Sequence, residues 1–305
     1  MNKSLSIIVP AYDRPDLLRE TLQSILQLRV PADVTAEVLV VLSMRMQDTV
    51  AVVTAAQAQA TLPLRLVPER QPGLSNARNQ GMEEASGDHL AYFDDDILVS
   101  KDWIQGYFEA VERQAADCVV GPVSPRYCAE IPAYISREVL DSILSVYSRK
   151  GGELKLLNAE VAHEIPGCNF GVRRQVAREV GGFSPRFGRA GSVIVGGDDF
   201  EFGQRLVAAG KRVAYQPLCA IDHAITTEKF SKSWLRRRWH GAGVYHRRSA
   251  PDPVFMQSRW GRARSWLSVV RTFTGSALLG LAGRSSESFE KELRAREALG
   301  FLRGR

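Results

Sequence analysis

Three consecutive aspartates, Asp94, Asp95 and Asp96, directly follow the apolar residues 90–93. A short apolar run is typical of a buried strand, and ligands bind beyond the carboxyl ends of strands in an open parallel sheet. Because side chains alternate along an extended chain, Asp94 and Asp96 can face the same side. Two carboxylates there would bind a hard divalent cation, which would in turn bind a diphosphate. The alternative is a solvated acidic turn.

A second acidic pair, Asp198 and Asp199, follows the glycine-rich residues 186–197. Either carboxylate can cap the helix predicted from residue 199, because the first turn of a helix has free N–H groups. A cap needs only one acid, however, and a carboxylate beside a flexible loop can also act as a base toward a substrate hydroxyl. Both interpretations stay open on the pattern alone.

Arg78 lies in the segment 73–81, which reads GLSNARNQG and opens a predicted helix upstream of the aspartates. It is one turn from Leu74 and Ser75, on a mostly polar face. From there it could reach a nucleotide or a phosphate at the same edge of the sheet. The alternative is a surface arginine on an amphipathic helix.

Hydrophobic periodicity predicts the elements that must position these residues. Strands are predicted at residues 5–10, 37–42, 64–67, 89–93, 118–123, 169–172 and 212–215, and helices at 15–26, 74–85, 174–180 and 199–209. Strands that alternate with helices favour an α/β fold with a mostly parallel sheet flanked by helices. Beyond residue 229 the chain is predicted to be largely helical.

The composition excludes several classes of protein. The chain has 305 residues, of which 45% are hydrophobic and 24% are charged, so globally disordered and fibrous proteins are excluded. The formal net charge of +6 does not by itself indicate a nucleic-acid partner. The four cysteines are scattered without a CxxC pair, which favours reduced thiols and a cytoplasmic protein, peripheral at most to the inner face of the membrane.

Four segments, over about residues 5–225, resemble family 2 glycosyltransferases of the GT-A fold. In chain order they read LSIIVPAYDRPDLLRETLQSIL, PGLSNARNQGMEEASGDHLAYFDDDILVSKDW, NFGVRRQVAREVGGFSP and GGDDFEFGQRLVAAGKRVAYQP. The resemblance implies a GT-A fold with a Rossmann-like nucleotide-binding half. It also implies inverting transfer of a sugar from a nucleoside-diphosphate sugar to an acceptor hydroxyl, with Mn²⁺ or Mg²⁺ as cofactor.

The resemblance implies a donor site in the first half of the chain. Pro10, Ala11 and Asp13 would line the nucleotide pocket, and Arg78 would contact the base or the phosphates of the nucleotide. The family usually has an aspartate after the second strand, whereas residues 40–45 read VVLSMR here. The nucleotide therefore stays open between uridine, thymidine and guanosine diphosphate.

The resemblance also implies metal-binding and catalytic residues. The triplet 94–96 matches the metal-binding DxD motif. Asp96 would be the main metal ligand and Asp94 a second one, and Asp94 and Asp95 would also contact the donor. Asp199 matches the catalytic base of an acidic pair, and Asp198 stands where glutamate is usual. His223, in AIDHAI, matches a frequent histidine and is either a metal or diphosphate ligand or a partly buried core residue.

We expect a catalytic domain over residues 1–228, followed by a basic helical extension over 229–305. Within the domain, residues 1–123 would bind the nucleotide sugar and 124–228 the acceptor. The segment 229–248 interleaves aromatic with basic residues. It can belong to the acceptor site, contact an anionic membrane carrying a lipid-linked acceptor, bind single-stranded nucleic acid, or pack on the core as a solvated helix. No nucleic-acid motif supports the third alternative.

The expected partners are a nucleoside-diphosphate sugar and a carbohydrate, lipid-linked or small-molecule acceptor. We expect no nucleic-acid partner and a peripheral membrane contact through the basic tail. One rival function is nucleotidyl transfer, which needs a glycine-rich phosphate loop, but residues 11–15 contain no glycine. The other rival is a non-catalytic nucleotide-sugar-binding module, which the retained acids at positions 94, 96 and 199 disfavour.

Overall fold

The computed structural model describes residues 3–42, 45–144, 146–148, 152–190, 193–249 and 259–304. Ser43 and Met44, in the segment without the expected aspartate, lie outside the described residues. The chain divides into two compact units. Unit 1 comprises Met1–Arg126, Ser145–Pro185 and Asp198–Ala224, and unit 2 comprises Tyr127–Leu144, Arg186–Gly197 and Ile225–Arg305. The expected domain boundary at residue 228 stays a prediction.

The strands are β1 (Lys3–Pro10), β2 (Val34–Leu42), β3 (Leu64–Pro68), β4 (His89–Phe93), β5 (Ile97–Val99), β6 (Cys118–Val120), β7 (Val123–Tyr127), β8 (Lys155–Leu156), β9 (Asn169–Arg173), β10 (Arg189–Ala190), β11 (Val193–Ile194), β12 (Val213–Tyr215) and β13 (Ile221–Ile225). The helices are α1 (Pro15–Ile25), α2 (Gln47–Gln57), α3 (Leu74–Glu84), α4 (Trp103–Gln114), α5 (Arg137–Ile143), α6 (Arg174–Glu179), α7 (Asp198–Ala208), α8 (Thr227–Phe230), α9 (Lys232–Ser249), α10 (Arg259–Leu281) and α11 (Ser285–Arg303).

Unit 1 is built on an eight-stranded sheet in the order β3-β2-β1-β4-β9-β6-β12-β8. The pairs among β3, β2, β1 and β4 are parallel, as is the β6–β12 pair. Strands β1, β2 and β4 are almost wholly buried, which explains their continuous apolar runs. A smaller three-stranded sheet has the order β5-β13-β7.

Two strands depart from the parallel pattern. β9 runs antiparallel to both of its neighbours, β4 and β6, and β8 is antiparallel to β12. The sheet is therefore mixed. Periodicity predicted a strand at this place in the chain, but strand direction depends on connections that no local pattern encodes. A buried Asn169 anchors the start of β9: its amide donates to the carbonyls of Pro122 and Cys219 and accepts from Trp103 Nε1.

The sheet brings three chain segments to one edge. β1 and β4 are parallel, with Ile8 opposite Tyr92, so the residues after Pro10 and after Phe93 leave the sheet together. Because β9 is antiparallel to β4, with Phe93 opposite Asn169, the residues that precede β9 reach the same edge. The acidic triplet therefore lies between the loop after β1 and the segment that enters β9.

Unit 2 contains α5, the short antiparallel hairpin β10–β11 and the helices α8 to α11. The largely helical character predicted beyond residue 229 is confirmed. Helices α9 and α11 approach closely at two glycines: a Cβ on Gly243 would lie 1.9 Å from the Glu297 carbonyl, and one on Gly300 would lie 2.0 Å from the His240 carbonyl. Among the described residues, no helix combines the length and the apolarity that crossing a membrane requires.

Candidate functional site

Asp94, Asp96 and His223 form a cluster at the carboxyl edge of the unit 1 sheet. Their potential ligand atoms all lie within 4.8 Å of one another. Asp96 is 2% exposed, and its Oδ1 lies 3.2 Å from Nε2 of the buried His223. β13 places the histidine there, because His223 is paired with Ile97, directly after the triplet. Two carboxylates and an imidazole suit a divalent metal ion of the first transition series.

Asp95 lies outside this cluster, in a turn that it shares with Asp96, and contacts the loop after β1. Its carboxylate accepts the backbone N–H of Tyr12 at 2.9 Å and forms an ion pair with Arg14. The same guanidinium donates to Asp96 Oδ2 at 2.7 Å. Burial raises the pKa of Asp95 to about 6, and the positive charge of Arg14 opposes that rise. The loop after β1 is therefore fixed to the triplet by charge.

Arg78 connects the triplet to the second acidic pair. It is 2% exposed, and its Nη1 donates to Asp198 Oδ2 at 2.6 Å. Nη2 donates to the Gly167 carbonyl at 2.7 Å and to Asp94 Oδ1 at 3.3 Å. Burial by itself lowers the pKa of the guanidinium, but the surrounding carboxylates, led by Asp198, outweigh burial and raise it. The alternative of a surface arginine is therefore wrong.

Asp199 is fixed by backbone donors. Its Oδ2 accepts the N–H of Gly167 and its Oδ1 accepts the N–H of Phe200, both at 2.9 Å. Burial, followed by the negative charge of Asp198, raises the pKa of Asp199 above its ordinary value. The predicted helix begins one residue earlier than expected, so Asp198 is its first residue, and its carboxylate accepts from Arg78 and Ser75.

Gly167 contacts both Arg78 and Asp199 through its backbone. Its carbonyl accepts from Arg78, and its N–H donates to Asp199. A Cβ at this position would lie 2.6 Å from Asp199 Oδ2 and 3.0 Å from Arg78 Nη2, so only glycine fits without displacement. Gly167 was not predicted from the sequence, where its only signal was its position two residues before a predicted strand.

The remaining predicted donor residues lie at the same edge. Pro10 ends β1 and is buried, Ala11 is half-buried, and the N–H of Ala11 continues the ladder to the Val41 carbonyl. Asp13 is exposed in the loop that follows. Arg14 was not predicted. A basic residue in a loop that shares a sheet edge with three aspartates was the available signal, because buried carboxylates require a counter-charge.

Residues 6–181 match the family model described as glycosyl transferase family 2. The chain is 28% identical over 245 residues to the succinoglycan biosynthesis protein ExoM of Rhizobium meliloti (strain 1021), which covers 80% of this chain and 74% of that protein. It is 29% identical over 173 residues to the glucosyl-dolichyl phosphate glucuronosyltransferase of Haloferax volcanii, covering 55% and 54% respectively. The matched region thus spans about half the length of this second relative.

Solved structures share the fold at low sequence identity. The mannosyltransferase PcManGT from Pyrobaculum calidifontis, in complex with GDP-Man and Mn²⁺, has a TM-score of 0.63 at 18% identity and covers 98% of this chain and 87% of its own. S. aureus TarS 1-349, in complex with UDP-GlcNAc, has a TM-score of 0.55 at 14% identity and covers 78% and 66%. At these identities the likeness shows the fold alone.

Proposed function

The chain belongs to glycosyl transferase family 2, and from this premise we propose that it transfers a sugar from a nucleoside-diphosphate sugar to an acceptor hydroxyl, with inversion and with a bound divalent cation. The family, the glycosyltransferase class and the GT-A fold agree with the prediction from the four sequence segments. One observation carries the proposal: the cluster of Asp94, Asp96 and His223 and the carboxylate of Asp199 are connected through Arg78 and Gly167 at one sheet edge.

Asp199 acts as the general base in this proposal. It removes the proton from the acceptor hydroxyl as the oxygen attacks the anomeric carbon from the side opposite the diphosphate. Each of its oxygens accepts one backbone N–H and keeps a second acceptor site for the hydroxyl proton. The raised pKa makes Asp199 a stronger base than a solvent-exposed aspartate.

Asp94, Asp96 and His223 would hold the metal ion. The imidazole favours Mn²⁺ over Mg²⁺, because Mg²⁺ prefers oxygen ligands throughout. When bound, the cation stabilises the negative charge that develops on the diphosphate. Arg78 contacts three protein groups and is buried. We therefore propose that it positions Asp94 and Asp198, and that its effect on the donor phosphates is exerted through Asp94.

The donor lies against the loop after β1 in this proposal. Pro10, Ala11 and Asp13 border the nucleotide, and Asp95, held by Tyr12 and Arg14, fixes the loop beside the metal ligands. The solved structures named above contain guanosine and uridine nucleotides, so the base stays open between uridine, thymidine and guanosine.

The names of the relatives favour one class of acceptor. ExoM is a succinoglycan biosynthesis protein, and the Haloferax relative is named for glucosyl-dolichyl phosphate. We propose that this chain also glycosylates a saccharide carried on a lipid, and that residues 229–305 make a peripheral contact with the membrane that contains it.

Incubation with a panel of sugar nucleotides, Mn²⁺ and a lipid-linked saccharide tests the proposal. We expect acceptor-dependent release of nucleoside diphosphate and a product whose anomeric configuration, measured by NMR, is opposite to that of the donor. Asp96→Ala should nearly abolish transfer and chelator should stop it, whereas the exposed Asp88→Asn serves as a matched control and should retain activity. Release of pyrophosphate would indicate a nucleotidyltransferase, and binding without turnover would indicate a binding module.

A further inference from the structure

Helix α10 in unit 2 presents an apolar face to solvent. Trp260 is 83% exposed, Leu267 is 61% exposed and Leu281 is 87% exposed. The α10 face consists of Trp260, Ala263, Leu267, Val270, Leu278 and Leu281, all of which are exposed. At about 100° per residue these six positions fall within an arc of about 80°. A surface helix of a globular protein normally turns its polar side outward, so a run of exposed apolar residues of this extent is unusual.

The opposite side of α10 accounts for the packing of the helix in unit 2. Val269 and Ser276 are buried, and Ser276 Oγ donates to the Ser288 carbonyl of α11 at 2.7 Å. The guanidinium of Arg303 lies 5.6 Å from the centre of the Trp266 ring. The contacts that dock α10 on α11 thus use residues outside the α10 face.

The charge of α10 indicates what covers this face. The helix contains four arginines, Arg259, Arg262, Arg264 and Arg271, and no aspartate or glutamate. Arg264 and Arg271 are exposed and lie about 20–40° from Trp260 around the helix axis, along one border of the face. Arginines beside an apolar stripe complement the anionic phosphates of a bilayer surface, and tryptophan prefers the same interfacial depth.

A second copy of the chain is a less favourable partner for the α10 face than a membrane surface. Two α10 faces packed together would bring the arginines of both copies close to one another without an acid on either helix, and like charges at an interface are unfavourable. Helix α9, the basic segment singled out in the sequence, offers less apolar surface: Trp234 is buried, and Arg236 is bonded to Glu292 at 2.7 Å.

We infer that α10 lies in the plane of an anionic membrane surface, with the α10 face inserted among the lipids and with Arg264 and Arg271 on their phosphates. The inference rests on the proposed use of a lipid-linked acceptor and deepens it, because it names the element that holds the enzyme at the surface where that acceptor lies. The contact depends on apolar insertion as well as on charge.

Co-sedimentation of the full chain with vesicles tests this inference. Vesicles of phosphatidylcholine with phosphatidylglycerol should bind the wild type, and high salt should weaken binding without abolishing it. Leu267→Asp with Leu278→Asp should lower the partition coefficient at least tenfold. Arg264→Gln with Arg271→Gln should lower it by about twenty-five-fold on anionic vesicles, because each basic group near such a surface contributes a factor of about five. Tryptophan fluorescence should shift to the blue on binding, and Trp260→Phe should reduce that shift.

A control variant carries two added aspartates, as Leu267→Asp with Leu278→Asp does, but on a different helix. Ala51→Asp with Ala55→Asp adds two aspartates one turn apart on the exposed side of α2, and should bind like the wild type. Circular dichroism confirms that each variant is folded. The inference would be overturned if Leu267→Asp with Leu278→Asp and the α2 control lost vesicle binding equally. It would also be overturned if Leu267→Asp with Leu278→Asp lost none. A dimer in sedimentation velocity that Leu267→Asp with Leu278→Asp dissociates, combined with absent vesicle binding, would overturn it as well.

The proposed transfer reaction is measured separately, with a water-soluble acceptor and no vesicles. The α10 variants should then turn over like the wild type. Failure of all variants, wild type included, to release nucleoside diphosphate would count against the proposed function and leave the vesicle result interpretable by itself.

Discussion

Arg78 and Asp198 are 120 positions apart in the chain and form a buried ion pair, with 2.6 Å between Nη1 and Oδ2. The same guanidinium reaches Asp94, so one cation balances an acid from each of the two motifs. Breaking a buried pair by removing one partner leaves an uncompensated charge away from water. Asp94 and Asp198, one acid from each motif, are therefore coupled through one buried side chain.

Replacement of this cation should cost both stability and activity. Arg78→Met removes the counter-charge of Asp198, and we expect the free energy of unfolding to fall by about 3–5 kcal/mol in urea denaturation. Arg78→Met with Asp198→Asn should recover much of that loss, because neither charge is then buried alone. Arg70→Met, at an exposed arginine that pairs with Glu83, should cost less than about 1 kcal/mol. An equally small cost for Arg78→Met would contradict the coupling.

Asparagine at position 199 should separate catalysis from binding. Asp199→Asn keeps the shape of the side chain but cannot accept a proton, so turnover should fall by roughly 10²–10⁴. Donor and Mn²⁺ affinities should stay within a few-fold of wild type. Some stability should be lost, because the asparagine NH2 group cannot accept one of the two backbone N–H groups that the carboxylate accepts. Asp198→Asn should lower stability more and turnover less. The reverse order of turnover loss would place the base at position 198.

The pH dependence of turnover should report the same pair. Because the pKa of Asp199 is raised, the acid limb of kcat/KM should lie at higher pH than an ordinary aspartate would give, and activity should be lost as pH falls through it. The charge of Asp198 contributes to the rise, so Asp198→Asn should move the limb to lower pH. Profiles recorded at saturating Mn²⁺ test this, and an unmoved limb would exclude Asp199 as the titrating group.

His89 should make the fold sensitive to mild acid. Burial lowers its pKa to about 4 from an ordinary value of 6.5, and its Nδ1 is bonded to the Tyr107 hydroxyl at 2.9 Å. Between those two pH values the unfolded chain takes up a proton that the folded chain does not, so stability should fall as pH drops through this window, by at most about 3 kcal/mol. Urea unfolding at pH 7 and pH 5 measures the change.

Two variants distinguish the effect of His89 on stability from the effects of the other titrating groups. His89→Gln should be less sensitive to the same change of pH than the wild type, whereas the exposed His246→Gln should behave like the wild type. If both variants kept the full wild-type dependence, another group would have to account for it.

Local patterns predicted seven of the eight strands of the large sheet, because periodicity reflects which face of each element is buried. They missed helices α2 and α4 and the strand β13 that carries His223. Alternation predicted that Asp94 and Asp96 face the same side, and the two do share a cluster with His223. Residues 95–96 form a turn, however, and Arg14 contacts both Asp95 and Asp96. The ion pair of Arg14 with Asp96 joins residues 82 positions apart, and it depends on the parallel register of β1 and β4. No local signal encodes that register, just as none encodes the reversed direction of β9 or the outward apolar side of α10.

The two backbone bonds of Gly167 have a consequence for how this enzyme tolerates change. Side-chain truncation, the usual means of locating functional residues, has no effect to measure at a glycine, although its N–H and its carbonyl hold Asp199 and Arg78 in register. Every substitution at this position adds atoms within 3.0 Å of both partners. Position 167 thus acts as a fixed spacer between Arg78 and Asp199, and a scan that truncates side chains would overlook it.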